Sequence, residues 1–252
     1  GPRTTHIFPI KMGKIQRLAG ETVLYGLGSI LPRFLSFLLV RLHTAVFTPE
    51  EYGVITNLYA WVAVVNIVLI FGMETAYFRF ASQPGESEKK IFNLAQTVVV
   101  VISTLLSVIF LLLVEPIGNT LEVSGRTDLV TWLIAIMFID ALAAIPFARL
   151  RYQKKAVRFA SGKLVNISIL VGLNVYFLKY STTYQPDVSL VILANVAANA
   201  FYIFFFLPTL VSWRPAYDRR ISPAMYGYAY PIMLTGLAGM TNETFSRQTL
   251  DW

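Results

Sequence analysis

Two ionisable residues stand at the centres of long apolar stretches: Arg33 in GSILPRFLSF (28–37) and Asp140 in LIAIMFIDALAAIPF (133–147). A charge inside hydrocarbon is expensive, so each marks a functional position by default. At helical spacing Arg33 shares a face with Thr22, Gly26, Ser29 and Ser36 before the stripe turns apolar at Val40. A guanidinium there can donate charge-assisted hydrogen bonds to phosphate. Asp140 can balance that cation or carry a proton. Asn195, Asn199 and Tyr202 fall at i, i+4 and i+7, and Gln96, Ser103 and Ser107 share a face. Asn166 and Asn174 lie in one further apolar run, and Asn242, Glu243 and Arg247 in the last, as TNETFSR. Uncharged stripes also suit plain interhelical hydrogen bonding, worth on average only about 0.6 kcal/mol per contact. For Arg33 and Asp140 the alternative is a buried ion pair. The expectation is a hydrated cavity lined by Arg33, Ser29, Ser36, Asp140, Asn195, Asn199, Asn242, Glu243 and Arg247. Pro32 removes its own backbone donor and frees the Gly28 carbonyl, a break tolerated where neighbours or water satisfy the group. Pro32, Pro146 and Pro231 are the expected helix hinges.

These residues have to be positioned by helices. The chain has 252 residues, 56% hydrophobic and only 14% charged, against about 25% charged in soluble domains. Apolar runs cover about 20–45, 52–77, 91–114, 128–149, 159–179, 188–212 and 224–247, and a spanning helix needs roughly 20 such residues. Runs such as QTVVVVISTLLSVIFLLLV lack the period-two alternation of barrel strands. The expected fold is therefore all-α, a polytopic transmembrane helix bundle. The first run is too long for a signal peptide and is expected to be retained. Residues 1–11 read as an upstream extension, with Met12 a candidate native start.

The formal charge of +7 is explained by where it lies. Sixteen of the 21 Lys and Arg residues fall on one side. They are Arg3, Lys11, Lys14 and Arg17, then Arg79, Lys89 and Lys90, then Arg149, Arg151, Lys154, Lys155, Arg158 and Lys163, then Arg214, Arg219 and Arg220. Only Arg126 and Lys179 fall on the other side. That asymmetry is the positive-inside pattern and places the N-terminus in the cytoplasm. It argues against nucleic acid as a partner, since a nucleic-acid patch has no reason to alternate with helices. The stretch RLRYQKKAVRFASGK (149–163) is the most basic linker, an anchor that also attracts anionic head groups.

No cysteine is present, which removes disulfides and thiolate metal sites. No P-loop offers direct ATP drive, and His6 and His43 make no metal pair. Two glycosylation-like triplets, at Asn166 and Asn242, fall inside predicted spans and are discounted. No linker is large enough to hold a catalytic module.

Three segments carry a resemblance: LAGETVLYGLGSILPRFLSFLLVRLHTAVFTPEEYG, IPFARLRYQKKAVRFASGKLVNISILVGLN and YPIMLTGLAGMTNETFSR. They resemble bacterial polysaccharide exporters of the Wzx type, within the multidrug/oligosaccharidyl-lipid/polysaccharide exporter superfamily. The resemblance implies a transporter of two six-helix lobes. Residues 1–17 would be a cytoplasmic segment, 18–213 the N-terminal lobe, and 214–252 an inner linker with the first helix of a second lobe. It further implies flipping of undecaprenyl-diphosphate-linked oligosaccharide across the bacterial inner membrane, without catalysis or a cofactor beyond possible coupling to H+ or Na+. Membrane lipids and other polysaccharide-assembly proteins are the implied partners. Arg33 matches the first-helix arginine of that family. Asn242, Glu243 and Arg247 fit an N-E-x-x-D-R run in the seventh helix, although Ser246 stands where an aspartate is usual. The alternatives are a multidrug/cation antiporter of the same superfamily and a membrane-bound polysaccharide-biosynthesis enzyme.

Overall fold

The computed structural model describes residues 34–180 and 185–249, together with Gly26 and Ile30, and side chains as far as Met240. Arg33, Ser29 and Pro32 lie outside the described residues, as does the segment 1–17. Asn242, Glu243 and Arg247 lie in a described helix, with their side chains outside the description.

The described chain is helical, with no strand among its residues. In order come α1 (Phe34–Val46), α2 (Pro49–Ile70), α3 (Met73–Ala81), α4 (Glu88–Leu112) and α5 (Val114–Thr120). Then follow α6 (Thr127–Tyr152), α7 (Ala156–Val175, prolonged by a wide turn at Tyr176–Tyr180), α8 (Val188–Ser212) and α9 (Ile221–Thr249). Five stretches are long and apolar enough to cross a membrane: Pro49–Ala81, α4, α6, Ala156–Tyr180 and α8. The protein is thus a multi-pass membrane helix bundle. Of the seven expected spans, the first is described only in part, and α9, although 29 residues long, is not among these five.

Local signals set the boundaries. Thr48 opens α2 with a reciprocal cap: its hydroxyl accepts the Glu51 N–H at 3.3 Å, and its own N–H donates to Glu51 at 2.9 Å. Pro49 fills the first turn, where no backbone donor is needed. The sequence reads 52–77 as one run, but the helix breaks inside it. Phe71 and Gly72 both take left-handed backbone, with φ of 53° and 66°. A Cβ on Gly72 would lie 2.5 Å from the Ala229 carbonyl oxygen, so glycine serves both the turn and the close approach of α9.

Helix α6 is the core of the bundle and packs against α2, α3, α4, α7 and α8. Its composition is apolar all round, as suits a helix with neighbours on most of its sides. Pro146 inside it cannot donate to the Leu142 carbonyl. Gln96 of α4, fully buried, donates to that carbonyl at 3.2 Å, so the break is satisfied by a neighbour. Between α7 and α8, Gly162 lets Phe205 approach to where a Cβ would stand only 2.8 Å away. Around it Phe147 packs edge-on against Tyr202, Phe206 and Phe159, with centroids 5.0, 4.7 and 5.7 Å apart.

The helices alternate in direction, so their ends gather into two layers. The basic end collects Glu74–Arg151 (2.6 Å), a forked Arg149–Glu88 pair (2.9 and 3.0 Å), Lys90–Asp218 (2.8 Å) and Arg220–Glu86. The opposite end carries a forked Arg126–Asp187 pair at 2.9 and 3.4 Å, joining the starts of α6 and α8. The linker after α8 is strapped along α4: the Ala216 N–H and the Trp213 ring N–H reach the Thr97 hydroxyl at 3.0 and 3.3 Å. Helix α9 then packs on α3 and α2.

Candidate functional site in the bundle interior

Asp140 lies midway along α6, half-buried, on the side facing α8. Asn199 of α8 donates to one carboxylate oxygen at 2.9 Å. The Asn199 carbonyl oxygen in turn accepts the Asn166 amide of α7 at 3.0 Å. Asn66 of α2 also stands beside the Asp140 carboxylate, and its own side-chain oxygen is buried without a donor. One turn of α8 away, Asn195 donates to the Tyr59 hydroxyl of α2 at 2.9 Å, leaving the phenolic proton free to donate elsewhere. Four helices therefore contribute to one polar track through an apolar core.

Lys163 completes it and corrects the sequence reading. Its place at the end of the basic stretch 149–163 counted it among the charges of one membrane side, although the expected run 159–179 also took it in. Helix α7 in fact starts at Ala156, so Lys163 lies two turns inside the helix. Its ammonium sits 4.1 Å from the Phe147 ring centroid and 5.2 Å from that of Tyr202. Ring faces are negative and hold a cation once it is partly desolvated. Lys163 and Asp140 feel each other's charge but do not close a direct ion pair; Glu74 and Arg151 of the basic end also act on Lys163. A signal for Lys163 was present: it shares a helical face with Asn166 and Asn174. Tyr59 and Asn66, half-buried on a nearly featureless apolar helix, had none.

The structure thus brings together Asp140, Asn199 and Asn195, three of the expected cavity residues, but as members of a hydrogen-bonded network. Ser36 lies exposed near the start of α1. Asn174 is elsewhere engaged: its side-chain oxygen accepts from His43 of α1 at 2.8 Å, and its amide donates to the Leu170 carbonyl at 2.9 Å. Because an amide oxygen only accepts, the proton in that contact sits on His43 Nε2. Pro146 lies in the buried middle of the site helix, and Pro231 in α9 follows Ala229, where Gly72 packs.

Chemically, the track offers one cation, one carboxylate and a row of amide and phenol groups. Such a set can hold a phosphate with the ammonium and sugar hydroxyls with the amides, because amides both donate and accept. Fold and site together define a multi-pass membrane protein with a charged, hydrogen-bonded polar track in its interior. Residues 38–247 match the polysaccharide biosynthesis protein family, and the chain belongs to that family. The matched region begins after Arg33. No curated protein and no solved structure matches the chain.

Proposed function

We propose that the protein exports a lipid-linked oligosaccharide, carried on undecaprenyl diphosphate, across the bacterial inner membrane by alternating access during surface polysaccharide assembly. The observation that carries this is the Lys163–Asp140–Asn199 track inside the bundle of a polysaccharide biosynthesis family member. An interior cation meets the diphosphate, and the amides exchange bonds with sugar hydroxyls. Asp140 balances Lys163 in the substrate-free state or carries a coupling H+; coupling to Na+ is the other form of the same proposal. The basic end faces the cytoplasm by the positive-inside rule, which places the N-terminus there. The protein moves its substrate and does not transform it. Other polysaccharide-assembly proteins supply and receive the cargo.

The test is flipping of a labelled lipid-linked oligosaccharide in vesicles of reconstituted full-length protein. Lys163→Met keeps the length of the side chain and removes its charge; Asp140→Asn does the same for the acid. Each is expected to lower the rate at least tenfold, since a lost charged hydrogen bond is worth about 1.5–3 kcal/mol, while insertion and elution profile stay normal. Full activity in Lys163→Met would sink the cation role. Dye–cation exchange in place of flipping would favour the antiporter.

A further inference from the structure

A second charged feature lies at the basic end, away from the interior track. Between the end of α3 and the start of α9 is an open cavity of about 500 Å³, lined among others by Arg79, Phe80, Gln83, Glu86, Arg220 and Tyr228. That volume falls within the usual range for small-molecule sites, about 300–1,000 Å³. The Arg79 guanidinium carbon lies over the Tyr228 ring, 4.2 Å from its centroid. A guanidinium held over a ring face still has N–H donors to offer a further partner.

The other charged residues lining the cavity, Glu86 and Arg220, are already matched. Arg220 pairs with Glu86, and Lys90 with Asp218. The start of α9 is matched too, since Asp218 accepts the Arg220 and Ile221 N–H groups at 2.9 Å each. Arg79 forms no ion pair among the described residues, so it is the uncompensated charge of the cavity. It also sits in the last turn of α3, at the end of the apolar stretch Pro49–Ala81, where a long cationic side chain can reach toward lipid head groups.

We propose that this cavity binds a phosphate group. Arg79 is the forked donor, Tyr228 the platform that orients it, and Gln83 a neutral donor at the rim. A planar guanidinium matches two phosphate oxygens at once, which a lysine at the same place does not. The phosphate comes either from a lipid head group at the membrane surface or from a soluble phosphate compound; the chemistry recognised is the same. This site stands independently of the transport reading, because binding is read without any flipping.

The experiment uses purified full-length protein in neutral detergent, titrated calorimetrically with two probes: inorganic diphosphate, and short-chain phosphatidylglycerol below its micelle concentration. Arg79→Ala is expected to weaken binding about tenfold or more, the equivalent of one charge-assisted contact of 1.4 kcal/mol or above. Tyr228→Ala and Arg79→Lys should each give a smaller loss, the latter with folding untouched. Lys155→Ala removes an exposed charge at the same end and should change nothing. Binding of phosphatidylglycerol alone assigns the site to a lipid head group, and binding of both probes to the phosphate itself. Two results overturn the proposal. One is no binding of either probe. The other is equal weakening by Lys155→Ala and Arg79→Ala, which reports only diffuse surface charge.

Discussion

Asn199 occupies a position where two partners depend on one side chain: it donates to Asp140 and accepts from Asn166. Removing it in Asn199→Ala strands a carboxylate oxygen and an amide in a buried site. The cost of stranding buried partners is about 1–3 kcal/mol each in general, tempered in membranes because the unfolded reference also finds partners. A net loss of about 1–2 kcal/mol is therefore expected for Asn199→Ala, read as a lower midpoint of denaturant unfolding in micelles. An unchanged midpoint would mean that the network contributes nothing to stability. Asp140, Asn195 and Asn199 were legible in the sequence because a polar letter in an apolar run is conspicuous. Lys163 carried a weaker signal, the face it shares with Asn166 and Asn174, which its place directly after a basic linker masked until the start of α7 was known.

At the scale of elements, α4 and α6 are coupled through one proline. Pro146 leaves the Leu142 carbonyl without its helical donor, and Gln96 supplies a replacement from the next helix. Gln96→Leu alone should destabilise by about 1–3 kcal/mol, the cost of a buried unsatisfied carbonyl. Pro146→Ala restores the helical donor, so in that background Gln96→Leu should cost much less. A double-mutant cycle on unfolding midpoints gives the coupling energy; strict additivity would refute the link. The proline was visible in the sequence, and so was the polar face that Gln96 shares with Ser103. That the two features answer one another was not. The break at Phe71–Gly72 was missed for a related reason. GMETAYF continues a helical pattern well enough, and what forces the turn is the packing of Ala229 against a glycine surface.

At the scale of the molecule, ion pairs at both membrane faces hold the helix ends, and their acids set a pH limit. Asp187 is partly buried, which works against its charge, yet Arg126 and the Ser189 hydrogen bond hold its carboxyl down to about 2. Lys90 and the backbone N–H groups of Ile221 and Arg220 hold Asp218 down to about 2 as well. Both values are depressed below the ordinary aspartate value of about 4. Their stabilisation is therefore complete above about pH 4 and is lost as pH falls toward 2. Unfolding midpoints measured from pH 6 down to 2 should drop in that window, and Asp187→Asn and Asp218→Asn should each flatten the drop. A decline that begins above pH 5 would point to other groups.

The sequence by itself determined the class of fold. Twenty-residue apolar runs in lipid have only helices open to them. It also marked Asp140, Asn166, Asn195 and Asn199 as polar residues in apolar runs, because lipid makes every such residue costly. Tertiary structure alone decided which of them meet. Partners such as Tyr59 and Asn195, or Asn66 and Asp140, are far apart in sequence and are joined by the packing of α2, α6 and α8. It also took Lys163 from the membrane surface and set it against the rings of Phe147 and Tyr202. The physical reason is that helix formation is local and readable residue by residue. The rotation and depth at which helices pack depend on small contacts such as Gly162 and Gly72, whose effect exists only once the neighbouring helix is in place.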